Sequence, residues 1–286
     1  MNKRNDRLQR AKRTHRSTLH CGLMVLPLIV STLFLGACES PEERVAGYIA
    51  SAQQHVSEDD LVKAEIDLKN ALQIAPKNPE ARFMLAKINE TRGEYQDMAS
   101  NLRVALDADP DLASARIKLG VLYALAGELK LAEEQAELLS EADRQSVDAK
   151  LLLARIAASK GDLELAKAEL ESAIQQEPSN EQALGLLASV SAATDLPGAL
   201  ALIDKGIAQA DDKRALRLLR IQLLRQAGNR QAEVEDQYRA LINDYPKDVQ
   251  FGYQYAQFLV SEGRLDEIEP VLLKVIDNDP DNVEVR

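Results

Sequence analysis

The chain has 286 residues, 45% hydrophobic and 28% charged, with seven Tyr, four Phe and no Trp, so it lacks the large side chains that fill a single globular core. Ala, Leu, Glu, Lys, Gln and Arg favour helix and the strand-favouring residues are thinly spread, which points to an all-α protein. The net charge of -11 opposes contact with phosphate backbones and excludes nucleic acid as a partner.

Residues 1–37 read as a secretory signal. Seven basic residues (Lys3, Arg4, Arg7, Arg10, Lys12, Arg13, Arg16) and one acid, Asp6, precede an apolar run from Leu23 to Leu35, and Gly36-Ala37-Cys38 follows. The run has 13 residues, short of the roughly 20 that cross a bilayer core as a helix, so it fits a removable signal better than a permanent span. Without residues 1–38 the 35 basic residues fall to 28 and the 46 acidic to 45, and the balance moves from -11 to -17.

Leu35-Gly36-Ala37-Cys38 resembles the lipobox of bacterial lipoproteins, in which the cysteine is diacylated, the signal is cut just before it and the new amino terminus is usually acylated as well. The resemblance makes Cys38 the lipidation site and places the chain in the bacterial envelope on a lipid anchor, held stably by two or three acyl chains. Glu39 stands where Asp would favour inner-membrane retention, which implies the outer membrane, facing the periplasm. Cleavage would remove Cys21, His15 and His20 and leave Cys38 and His55, so no disulfide, Cys-His pair, Cys/His metal site or cofactor is expected. Ser40-Pro41-Glu42-Glu43 has the order of a helix start, with Ser as cap, Pro at the first position and Glu43 reaching back. Residues 38–44 are thus the acylated cysteine and a short tether.

Beyond the tether the prolines keep time. Pro76, Pro110, Pro178, Pro246 and Pro280 fall on one 34-residue grid, broken only by Arg144 and Asp212. Half a period earlier stand Gly93, Gly127, Gly161 and Gly263, with Gly228 one place early. Each period therefore holds two helices, the Gly allowing a left-handed turn between them and the Pro closing the second. The periods are 45–78, 79–112, 113–146, 147–180, 181–214, 215–248 and 249–282, and 283–286 would begin an eighth. Ala86, Gly120, Ala154, Ala188 and Ala256 keep one position of the first helix small, and Ala64, Ala132 and Ala166, then Ala71, Ala105 and Ala173, do so in the second.

This pattern resembles the tetratricopeptide repeat (TPR) family over residues 45–282, which implies a superhelical solenoid of paired antiparallel helices that binds partners along its inner wall. In the fifth to seventh repeats Leu200, Val234 and Ile268, then Ile207, Leu241 and Val275, replace the small residues, so wider helix spacing is expected there. Pro270 implies a late start or a kink in the last helix. The resemblance places the wall at positions 2, 5, 9, 12 and 13 of each first helix. Position 5 reads Ile49, Phe83, Ile117, Leu151, Gly185, Leu219 and Tyr253, and position 9 includes Val121, Arg155, Ser189 and Leu223. Phe83, Ile117, Val121, Leu151, Arg155 and Tyr253 are the candidate partner-binding groove, suited to an apolar or amphipathic protein segment. Gly185, Ser189, Ala192 and Ala193 leave the wall low at the fifth repeat.

Six basic residues between Lys213 and Arg230 offer a second candidate, with Arg214, Arg217 and Arg220 able to take an anionic polysaccharide, although the acids nearby also fit a solvated ion-pair face. No GxSxG, HExxH or Gly-rich phosphate loop occurs, so no catalytic residues and no enzyme are expected. A lipobox followed at once by such repeats is similar to the TPR lipoproteins of the PEP-CTERM/exosortase system, which implies a scaffold for assembly or export of surface polysaccharide or protein, or a module that binds exopolysaccharide itself. Those relatives are longer arrays, so 283–286 suggests a truncated repeat or a partner covering the last helix.

Overall fold

The structure, a computed structural model, describes residues 39–278. The signal 1–37, the lipidation site Cys38, the end of the seventh period and the start of an eighth lie outside the described residues.

Fourteen α-helices make up nearly all of the described residues. They are α1 Pro41–Ser57, α2 Leu61–Ile74, α3 Pro79–Arg92, α4 Tyr95–Ala108, α5 Ala113–Leu125, α6 Leu129–Glu137 and α7 Val147–Ser159. α8 Leu163–Gln176, α9 Glu181–Ser191, α10 Leu196–Gln209, α11 Arg214–Ala227, α12 Gln231–Asp244, α13 Val249–Ser261 and α14 Ile268–Asn278 follow. Each odd helix packs on the even helix after it, each even helix on the next odd one, and odd helices also touch across α5, α7, α9 and α11. No helix among the described residues is long and apolar enough to cross a membrane.

Local chemistry sets the boundaries. Ser40 accepts from the Glu43 N–H at 3.1 Å while the Glu43 carboxylate accepts from the Ser40 N–H at 2.7 Å, and Pro41 occupies the first position of α1. Gly93, Gly127, Gly161, Gly228 and Gly263 all have φ between +73° and +80°, and Asp59 takes the same left-handed role in the first turn with φ +59°. At the grid points without Pro, polar side chains hold the chain instead. Arg144 donates to the carbonyls of Glu137 and Leu139, groups that the early end of α6 leaves unpaired, and Asp212 accepts from the Arg214 N–H before α11. Pro270 falls in the first turn of α14, which starts late after a 3₁₀ turn over Leu265–Glu267, so its missing N–H costs no helical bond.

The core is a row of small clusters between neighbouring helices, as a stack of repeats requires. Ala64, Ala71, Ala86, Ala105, Ala132, Ala166, Ala173 and Ala188 are all fully buried, and Gly120 faces Leu152 so closely that a Cβ there would meet Leu152 Cδ2 at 2.8 Å.

The fifth repeat corrects the expectation drawn from Leu200 and Ile207. The buried crossing residues of α10 are Ala199, Ile203 and Gly206, each one place ahead of the 34-residue grid, because the turn between α9 and α10 is one residue short. Gly206 does the work of the missing alanine: a Cβ there would meet Leu216 Cδ1 at 2.7 Å. Only in the last two pairs does the second helix lack both small residues, and there Val234, Leu241 and Val275 are buried. Of the two-helix pairs within repeats, α11 with α12 and α13 with α14 accordingly have the fewest close backbone approaches. Aromatic rings fill the space: Tyr238 stacks on Tyr255 at 5.5 Å and lies 5.9 Å from Phe258.

Candidate functional site

The odd-numbered helices present one face of the stack, and polar side chains join them from repeat to repeat. Gln53 of α1 donates to Glu80 of α3 at 2.9 Å, and Lys118 of α5 pairs with Glu90 of α3 at 2.5 Å. At the amino-terminal end Ala46, Ile49 and Gln53 line an open depression of about 440 Å³ with Ile74 and Glu80.

Of the six groove candidates the structure leaves four on this face. Phe83 is half-buried against the cluster of Leu102 and Leu119, Val121 is half-buried against Leu152, and Arg155 and Tyr253 are also half-buried. Ile117 and Leu151 are corrected: at 7% and 4% exposure they belong to the core, turned inward because α5 and α7 pack directly on each other. Among the described residues Arg155 has no hydrogen bond or ion pair, and burial lowers its pKa.

At α11 the face is not where the grid puts it. Leu216, Ile221, Leu223 and Leu224 are buried, the pattern of Ala81, Ala86, Ile88 and Asn89 in α3 but one place ahead of the grid. The short turn before α10 starts this offset, and one extra residue at Asn229 ends it. Positions 5 and 9 of the sixth repeat are therefore Leu218 and Gln222, not Leu219 and Leu223. Leu219 lies over Gly185, its Cδ2 3.4 Å from where a Cβ would be, so Gly185 is covered and offers no low floor to a ligand. Leu218, Gln222, Arg225 and Gln226 line a depression of about 520 Å³ with Ile221, Tyr238 and Gln254. The one signal in the sequence for this offset is Gly228, one place early.

The second candidate is also corrected, because its cations are already paired. Arg214 holds Asp212 at 2.5 Å and approaches Asp248, and Arg220 holds Asp204 at 2.9 Å. Arg217 lies 2.7 Å from Asp244, although the same nitrogen makes no well-aligned hydrogen bond. Arg214 holds the Asp212 carboxyl down at about 2. Among the described residues these arginines form a solvated ion-pair face.

Residues 147–180, the α7–α8 pair, match the tetratricopeptide repeat family. The fold is a TPR solenoid. The chain is similar to PilW, a widely conserved type IV pilus biogenesis factor, at 20% identity over 74% of this chain and 98% of that one, with a TM-score of 0.59. It is similar to pilF of Pseudomonas aeruginosa at 16% identity over 76% and 99%, with a TM-score of 0.53. A tetratricopeptide repeat protein of Parabacteroides merdae matches at 17% identity over 82% and 99%, with a TM-score of 0.52. At these identities the likeness is one of fold. No curated protein matches the sequence.

A TPR unit cannot bury its apolar face alone, and the face that remains after stacking is where such solenoids bind protein partners. Here that face carries Phe83, Val121, Leu218 and Tyr253 as half-exposed apolar groups, with Arg155 and Arg225 as cations that have no carboxylate partner among the described residues.

Proposed function

We propose that this chain is a scaffold of the bacterial envelope, anchored through Cys38 in the outer membrane and facing the periplasm, that holds a segment of another protein along its odd-helix face and takes no part in catalysis. The observation that carries the reading is that Phe83 of α3, Val121 of α5, Leu218 of α11 and Tyr253 of α13 are half-exposed on the first helices at the two ends of one stack. Apolar groups so placed fit an amphipathic helix or an extended segment laid along the stack. Assembly or export of surface polysaccharide or protein is the process proposed. PilW and pilF share only the fold with this chain, and the pilus is one envelope assembly that the reading accommodates. Direct polysaccharide binding by Arg214, Arg217 and Arg220 loses its support, since all three are paired.

The test is an affinity capture from detergent-solubilised envelopes with the wild-type lipoprotein and a Phe83→Ala, Tyr253→Ala double variant. Loss of a defined protein in the variant supports the groove; recovery of the same proteins by both refutes it. Cys38→Ser should release the chain from the membrane fraction, and a variant that stays there refutes the anchor.

A further inference from the structure

From the fourth repeat onward the arginines fall into two sets. Arg214, Arg217, Arg220, Arg230, Arg239 and Arg264 each pair with an Asp or Glu. Arg155 and Arg225 have no carboxylate partner among the described residues; the Arg225 guanidinium lies over the Phe258 ring, 5.8 Å from its centre, in the depression that Tyr238 also lines. These two are the arginines at wall positions, Arg155 on α7 and Arg225 in the depression of α11. Arg155 is half-buried, and a guanidinium held partly out of water with no counter-ion is an unfavourable state that an incoming carboxylate relieves.

The rest of this stretch agrees. From Arg155 to Ser261 the wall positions hold Gln182, Gln222, Gln226, Gln250 and Gln257 and no Asp or Glu, in a chain with 46 acidic residues. All five glutamines are exposed.

We propose that the wall from α7 to α13 docks an acidic polypeptide segment, with one carboxylate on Arg155, a second on Arg225 and the glutamine amides bonding to its backbone. The inference rests on the reading that this face holds a protein. Elsewhere the acidic surface repels such a segment, which confines it to the stretch without acids. Leu218 and Tyr253 supply apolar contact, whereas a sugar chain, held by stacking on rings, would find only Tyr253 there. With neighbouring helices about 8–10 Å apart, two repeats span roughly 16–20 Å, or about five or six residues of extended chain.

The test uses immobilised peptides of one length and apolar content, graded in number and spacing of carboxylates and probed with the labelled full chain in detergent micelles. Peptides with two carboxylates about five or six residues apart should hold the wild type, and their Glu→Gln counterparts should not. Arg155→Gln with Arg225→Gln should weaken binding about tenfold or more, Arg155→Lys should recover part of it, and Arg214→Gln should leave it unchanged. Circular dichroism of each variant checks the fold. Binding indifferent to carboxylates, unchanged in the double variant, or preferring alginate to every peptide overturns this inference alone. Absence of binding to any peptide overturns the protein-binding reading with it.

Discussion

Val275 of α14 occupies the space into which a side chain on Gly252 of α13 would have to point. In the earlier pairs the arrangement is reversed: the second helix carries Ala105 or Ala173 at the crossing, and the first carries the long Arg82 or Lys150. The last described pair has exchanged large for small across the interface, so one feature of the TPR crossing survives with its members swapped.

Gly252→Ala should therefore destabilise the α13–α14 pair by about 1–3 kcal/mol, the range for overpacking, offset in part by the ~1 kcal/mol that Ala gains over Gly within a helix. Val275 is branched at Cβ and 3% exposed, so it has no rotamer into which to retreat. Adding Val275→Ala should recover stability beyond the sum of the single effects, as a double-mutant cycle of thermal unfolding would show. A single variant that melts at or above the wild-type temperature would refute the swap.

The one-residue offset of α11 gives opposite expectations for two adjacent residues. Leu223 is 3% exposed and Gln222 is exposed. Leu223→Ala should cost about 2–5 kcal/mol as a core cavity, while Gln222→Ala should stay within roughly 0.5 kcal/mol. Native-state hydrogen exchange of α11 is the suitable measurement, because a repeat array need not unfold in one step. Greater loss of protection in the Gln222 variant would restore the uniform grid.

Much of this architecture was legible in the sequence because its signals are local. A Gly at a left-handed turn, a Ser-Pro-Glu-Glu helix start and an Ala at a close crossing each act within one or two turns of chain, and Gly93, Ser40 and Ala64 stand as the pattern requires. The offset across α10 and α11 was hidden because its two ends cancel: one residue lost before Leu196 and one gained at Asn229 return the chain to the grid by Val234. The pairing of the basic stretch was hidden for another reason. Acids nearby were visible, but that Arg220 reaches Asp204 and Arg217 reaches Asp244 is decided by how α10, α11 and α12 pack. Ile117 and Leu151 were misplaced similarly, since a wall position is buried wherever neighbouring first helices close over it.

The capping box between Ser40 and Glu43 fixes the first turn of α1. Ser40→Ala should lower the stability of α1 by about 1 kcal/mol, leaving one of its first N–H groups without an acceptor. Hydrogen exchange should show the loss confined to α1 and α2, which share a core cluster with the start of α3. Equal loosening of distant pairs would mean that the array unfolds as one unit.

Acid should weaken the carboxyl-terminal repeats. Arg214 holds the Asp212 carboxyl at about 2, helped by the Arg214 N–H and the Tyr245 hydroxyl, and hydrogen bonds from Arg264 lower both Glu235 and Glu267. A carboxyl with a lowered folded-state pKa contributes stability that is fully present above its unfolded value, about 4, and is lost as pH falls through the folded one. The melting temperature should thus decline between about pH 4 and the folded value of about 2. Asp212 is half-exposed, so its share is small and salt reduces it further. Asp212→Asn should flatten the decline without abolishing it, because Glu235, bridged by Arg264 and Arg239, still titrates. A decline of unchanged steepness in that variant would show that the Asp212–Arg214 pair adds nothing to the join between α10 and α11.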